Sequence, residues 1–170
     1  MARRLTNSSN IKLNGRDLPI NTSKGNQRCY EEILERTHSQ LEAMLSHHSK
    51  VMVLRLDLSC ERYTTDNKLV SKLIKKLRRY LLKQYNMKRF GYVWVREQEK
   101  AKSQHYHIAL MVDANKIQYP SKIIKWLEAR WQYYGRPWTP KKCFYVVGRN
   151  DNTSLAEVFE RLSYLAKERG

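Results

Sequence analysis

Over residues 30–46 the apolar side chains Ile33, Leu34, Leu41, Met44 and Leu45 recur at helical spacing, which predicts a helix there. The period then changes. Over residues 51–58, Met52, Leu54, Leu56 and Leu58 alternate with a second set that includes Arg55 and Asp57, as a strand with one apolar and one mixed face does. Asp66 can cap a second helix over residues 66–85, with Leu69, Val70, Leu73, Ile74, Leu77 and Leu81 as its apolar stripe. Residues 90–97 and 104–112 read as two strands joined by a short polar connection, which predicts an antiparallel hairpin with Lys100 and Lys102 at its tip. A third helix over residues 120–134 starts at Pro120, buries Ile123, Ile124, Trp126, Leu127 and Trp131, and stops at Gly135. A strand over residues 143–147 and a final helix capped within residues 151–154 complete the pattern.

After the first helix the order is therefore β-α-β-β-α-β-α. It predicts an α+β fold with a central antiparallel sheet of four to five strands and flanking helices, in the ferredoxin/RRM-like βαββαβ layout, followed by a C-terminal helix. Four strands are clear and a fifth is unassigned. Two crossover helices are expected on one face of the sheet, leaving the other for function. Residues 1–28 are polar and basic without periodicity, and read as a flexible basic arm preceding a single domain over residues 29–170.

Charge narrows the function. Lys and Arg number 33 against 16 Asp and Glu, a formal net charge of +17, which favours a polyanionic partner and nucleic acid first. The second helix alone carries Lys68, Lys72, Lys75, Lys76, Arg78, Arg79 and Lys83, a ridge that either meets phosphate or is a solvated face. No apolar stretch is long enough to span a bilayer, and Met1-Ala2-Arg3-Arg4 runs into polar residues instead of a leader's apolar segment, so the expected location is the cytoplasm. Cys29, Cys60 and Cys143 are odd in number and lack CxxC spacing, as ordinary reduced thiols do.

The candidate chemistry lies in two places. His105 and His107 are two residues apart in a strand, so both imidazoles share a face while Tyr106, Ile108, Leu110 and Val112 take the other. Glu97, at the end of the preceding strand, can add a carboxylate; Glu99 in the connection is an alternative, and Asp57 is another if its strand neighbours the histidines. Two neutral nitrogens and one carboxylate suit a divalent cation with open positions, Mn²⁺ or Mg²⁺. The second place is the final helix. Leu155, Val158, Phe159, Leu162, Leu165 and Ala166 form its apolar stripe, Tyr164 falls opposite, and Lys167 lies one turn further on. Tyr164 there either faces solvent or turns into a polar cleft.

Together His105-Tyr106-His107 and Tyr164-Leu165-Ala166-Lys167 resemble the two motifs of the HUH superfamily of single-strand endonucleases, in their single-tyrosine replication-initiator form. The segment from Tyr92 through Glu97 to Ile108 is most similar to the inovirus-type YagK/YfjJ family of filamentous phages, prophages and phage satellites. The resemblance covers about residues 50–167. It implies a five-stranded antiparallel sheet and a metal-dependent nick in single-stranded or locally melted DNA that leaves a 5′-phosphotyrosine link and a free 3′-OH. By that analogy His105, His107 and Glu97 are metal ligands, Tyr164 is the nucleophile and Lys167 its helper. The biological setting it implies is rolling-circle replication initiation or nicking of a rival phage genome. A helicase or host replication proteins would be partners, because the chain has no GxxxxGK[ST] loop. Two rival readings remain at this level: a non-catalytic RRM-like nucleic-acid-binding module, and a metal-dependent phosphodiesterase that uses water.

The charge predicts steeply salt-dependent DNA binding, since each phosphate contact on a single strand contributes a slope of about −0.7 in log K against log salt. Affinity for a single-stranded oligonucleotide, measured between low and physiological salt, should fall with a slope equivalent to several contacts; a flat line would disconnect the charge from DNA.

Overall fold

One strand divides the interior into two cores. In the computed structural model, which describes residues 3–98 and 101–169, short strands β1 (Leu5–Thr6), β2 (Asn10–Leu13), β3 (Arg16–Pro19) and β4 (Cys29–Tyr30) precede α1 (Glu31–His47). The central strand β5 (Lys50–Ser59) follows, then α2 (Lys68–Tyr85), the hairpin β6 (Gly91–Glu97) and β7 (His105–Asp113), and α3 (Ser121–Trp131). The chain continues through β8 (Pro137–Trp138), β9 (Phe144–Gly148), α4 (Asn152–Leu162) and a 3₁₀ turn, Ser163–Ala166. Glu99 and Lys100, named above as a ligand alternative and a tip cation, and Met1 and Ala2 of the leader reading, lie outside the described residues.

The main sheet is antiparallel throughout, in the order β6-β7-β5, with β8 and β9 end to end along the far edge of β5. On one face Met52, Leu54, Leu56 and Leu58 of β5 and Tyr106, Ile108, Leu110 and Val112 of β7 pack against Val70, Leu73, Leu77 and Leu81 of α2 and Ile123, Leu127 and Trp131 of α3. This is the layer the alternation predicts. Leu69, Ile124 and Trp126, expected in the core from sequence, are only partly buried; Trp126 stacks on Tyr80 with ring centroids 4.9 Å apart. The basic residues of α2 are exposed on the outside of this layer, across the sheet from the histidines.

The opposite face is not left bare as expected. Val51, Val53, Val93, Ala109, Met111 and Val147 form a second core with Leu34 and Leu41 of α1 and Leu155, Val158 and Phe159 of α4. Those two helices carry apolar stripes of their own and must bury them. Only the end of this face that bears Arg55, Asp57, His105 and His107 stays polar.

The N-terminal segment is also corrected. Residues expected to be an unordered arm form the β2–β3 hairpin, turning at Asn14 and Gly15 with φ of 49° and 73°. Leu18 and Ile20 are buried in the second core, and β1 pairs with β4. Few apolar residues suffice because the hairpin packs against α4, whose surface the local pattern could not reveal. Smaller differences concern caps. The α2 N-cap is Asn67, while Asp66 Oδ1 accepts from the Lys68 amide at 3.0 Å. Helix α3 ends at Trp131, short of residue 134. Asp151 does cap α4, accepting from the Ser154 amide at 3.1 Å. All three cysteines are free, and burial pushes the thiols of Cys29 and Cys60 up, away from thiolate reactivity. Among the described residues no helix is long and apolar enough to cross a membrane.

Strand β8 is the fifth strand that sequence left unassigned, and its position depends on Gly135. The Ser59 carbonyl accepts from the Trp131 indole at 2.7 Å, and a Cβ on Gly135 would lie 1.9 Å from that same oxygen. Gly135→Ala must push β8 off β5, and should cost about 1–3 kcal/mol of stability in a urea titration. A change under about 0.5 kcal/mol, within the range of neutral surface substitutions, would show that this close approach is not a constraint.

Candidate metal centre

The register of the sheet assembles the site. Antiparallel pairing sets Glu97 opposite His105, and His107 between Val95 on one side and Asp57 on the other, so these side chains emerge on one face in two adjacent rows. Glu97, His105 and His107 each offer one donor atom, all within 4.8 Å of one another. His107 Nε2 lies 2.5 Å from Glu97 Oε2, and His105 Nε2 lies 3.4 Å from Glu97 Oε1. An octahedral Mg²⁺ holds opposing ligands about 4 Å apart, from bond lengths of about 2.0–2.1 Å. Separations within 4.8 Å are of that order, so the three donors could share one ion.

Asp57 takes a supporting position. Its Oδ1 lies 2.8 Å from His107 Nδ1, so a His107 that ligates a cation through Nε2 would keep its one ring proton on Nδ1 and donate it to Asp57. In that tautomer the Nε2 lone pair would face the cation and Asp57 would fix the ring, the outer-shell arrangement that orients histidine ligands. Side-chain exposure of 4% for His107 and 27% for His105 makes one imidazole a fixed wall and the other the open side of the cluster.

Tyr164 packs directly on this cluster, its ring edge-on to His107 with centroids 5.3 Å apart. It does not sit on the final helix as the wheel assumed. Helix α4 ends at Leu162, and the tyrosine belongs to the 3₁₀ turn that follows, with Ser163, Leu165 and Ala166 buried around it. Lys167 lies past the turn in extended backbone, bridged to Cys29, and its Nζ is 5.0 Å from the centre of the Tyr164 ring. The relation between the two residues survives although its helical basis does not.

Two arginines complete the surroundings. Arg55, on the same face of β5 as Asp57, holds its guanidinium carbon 4.1 Å from the Tyr164 ring centre, and its Nη2 is 3.8 Å from Asp57 Oδ2. Arg169 reaches back, with Nε 2.5 Å from Glu97 Oε2 and Nη2 donating to the Tyr164 carbonyl at 2.9 Å. Sequence reading placed Arg55 beside Asp57 but gave it no role, and missed Arg169, which lies beyond any periodic element. Three cations thus surround one phenol beside a histidine and carboxylate cluster.

An antiparallel α+β protein with a two-histidine, one-carboxylate cluster that could hold a cation, and an adjoining tyrosine, is the class that fold and site define. The family model of the YagK/YfjJ C-terminal domain matches residues 16–170, and the chain belongs to that family. Comparison with curated proteins and with solved structures finds no match.

A cation at this cluster should stabilise the folded chain, by about 2.7 kcal/mol when Mn²⁺ is at 100 times its dissociation constant. Thermal melts with increasing MnCl₂ should show an upward shift that His105→Ala/His107→Ala abolishes. Asp57→Asn should weaken Mn²⁺ by roughly 10- to 100-fold through loss of the imidazole's orientation. Equal shifts in all three proteins would place the cation elsewhere.

Proposed function

We propose that the protein is a divalent-cation-dependent nickase of single-stranded DNA that works through a covalent 5′-phosphotyrosine. The observation that carries this reading is the packing of Tyr164 on His107 within the Glu97, His105 and His107 cluster. A phenol has little use beside three cations and a ligand set unless it meets an anionic centre there.

The residues divide the work. His105, His107 and Glu97 would hold Mn²⁺ or Mg²⁺, which when bound polarises a phosphate oxygen. The Tyr164 oxygen attacks the phosphorus, the bond from phosphorus to O3′ breaks, and the departing oxygen takes a proton to become a free 3′-OH. Arg55 and Lys167 supply positive charge where the phenol gives up its proton and the phosphate gains charge. Arg169 ties the backbone of the tyrosine turn to Glu97 and fixes the distance between nucleophile and ligand set. Because the phosphoester on tyrosine is of similar energy to the bond it replaces, a 3′-OH can reverse the step, and strands rejoin without ATP.

DNA is the partner in this reading, supported by the +17 charge. Initiation of the element's own replication and nicking of a competitor require the same chemistry. The RRM-like alternative has the same strand order but not the platform it needs. On the face where such modules stack bases, β5 and β7 carry Val51, Val53, Ala109 and Met111 under α1 and α4 and the polar cluster beyond them.

With a 5′-side label on a cleaved single strand, wild type should retain label on protein, mapped by mass spectrometry to Tyr164. Tyr164→Phe should bind the strand equally and form no adduct, and Lys167→Ala should slow adduct formation by roughly a hundredfold without ending it. Cleavage by Tyr164→Phe at the wild-type rate, with free ends, would assign the reaction to water.

A further inference from the structure

Beside the cluster, on the side away from Glu97, a cavity of about 300 Å³ is lined by Asp57, Ser59, His105, Arg136, Pro137 and Trp138. Its walls are a candidate metal ligand, that site's supporting carboxylate, and the strand β8. Trp138 is directly opposite Asp57 in the register, so its side chain leaves the sheet on the face of Asp57 and His107. The row Trp138, Asp57, His107 crosses three strands, which puts the indole about 10 Å from the second imidazole at about 4.8 Å per strand.

Trp138 is 57% exposed, although an indole is the side chain with most to gain from burial. The contrast is with Trp131, which is fully buried and spends its N–H on the Ser59 carbonyl. Trp138 is held out by construction. Gly135 brings the chain against Ser59, and Ser59 then makes three hydrogen bonds with Arg136: its amide and its hydroxyl donate to the Arg136 carbonyl, and its Oγ accepts from the Arg136 amide. The backbone under Arg136 and Trp138 is thereby fixed, while the Arg136 side chain is exposed and makes no ion pair among the described residues. A flat aromatic surface and a free guanidinium, rigidly mounted one cavity away from the cluster, match a nucleotide: base on indole, phosphate on arginine.

We propose that Trp138 and Arg136 form a base-stacking subsite that holds one nucleotide flanking the scissile phosphate of a single-stranded DNA. This rests on the nickase reading for its substrate, and it adds a residue that selects unpaired over paired bases, since a base must leave its stack to lie on Trp138. Stacking on an aromatic side chain corresponds to about 5- to 150-fold in affinity per base. The cavity volume is at the lower end for ligand sites, consistent with a single base and not a run of them.

The test compares oligodeoxythymidylate with an abasic phosphodiester oligomer of equal length, which has the charges without the bases. Wild type should prefer oligodeoxythymidylate by about tenfold, Trp138→Phe should keep most of that preference, and Trp138→Ala should lose it while holding the abasic oligomer as tightly as wild type does. Arg136→Ala should weaken both oligomers alike. Trp138→Ala that leaves the preference intact, or that weakens both oligomers equally, overturns the subsite. The two readings separate cleanly, because a Trp138-dependent preference in a protein that forms no Tyr164 adduct keeps the subsite and rejects nicking. An adduct of wild-type yield in Trp138→Ala with no preference to lose does the opposite.

Discussion

The pairing of β5 with β7 is the constraint on which the rest depends. It runs unbroken from Val51 opposite Asp113 to Ser59 opposite His105, and each residue's face is set by it. A shift of one residue would turn His105 and His107 into the α2 and α3 core and expose Tyr106 and Ile108. Fully buried Tyr106 and Ile108 therefore fix the imidazoles as firmly as any contact at the site itself. Burying each such side chain is worth about 1.5–3 kcal/mol, and the ladder has several of them on each side. The cost of misplacing the histidines is the cost of undoing the core.

Two apolar layers frame one polar corner. Helices α1 and α4 cover the half of the second face where the strands carry Val51, Val53, Ala109 and Met111, and withdraw where the strands turn polar. Within that corner the carboxylates are shared. Glu97 meets both histidines and Arg169, and Asp57 meets His107 and lies near Arg55. Such a network aligns the imidazoles and the tyrosine turn through one set of acids, so that ligand geometry and phenol position move together.

The sequence shows the central strands, their faces and the hairpin clearly, because residues 51–58 and 104–112 carry an alternation of period two; the register and the place of residues 51–58 beside the histidine strand come from the sheet itself. Glu97 was placed beside the histidines by loop length alone. Three things were not legible. Strand β8 is two residues long and begins with proline, so it has no pattern to read, and tertiary contacts locate it: Gly135 against Ser59 and the Ser59–Arg136 hydrogen bonds. The N-terminal hairpin did carry a signal, Asn14-Gly15 between short alternating runs, but its apolar content is too low to predict a packed segment without knowing the α4 surface that receives it. Arg169 lies after the last periodic element, and its reach to Glu97 is a tertiary fact. The Tyr164 to Lys167 relation was legible for a partly wrong reason: three residues place the two side chains together across the end of a 3₁₀ turn as well as along an α-helix.

The tyrosine turn has a further meaning. Ser163, Leu165 and Ala166 are at most 1% exposed, and Lys167 and Glu168 are tied to the strand at Cys29 and to Arg28 on the far side of the turn. Tyr164 thus stands partly buried on a main chain with no room to travel. Its ordering entropy was spent when the protein folded, not when a partner arrives. Under the nickase proposal, a phenol held on so fixed a turn is met by a substrate that bends its own backbone into the corner between β5, β7 and the turn, which a flexible single strand does at lower cost than a stiff duplex.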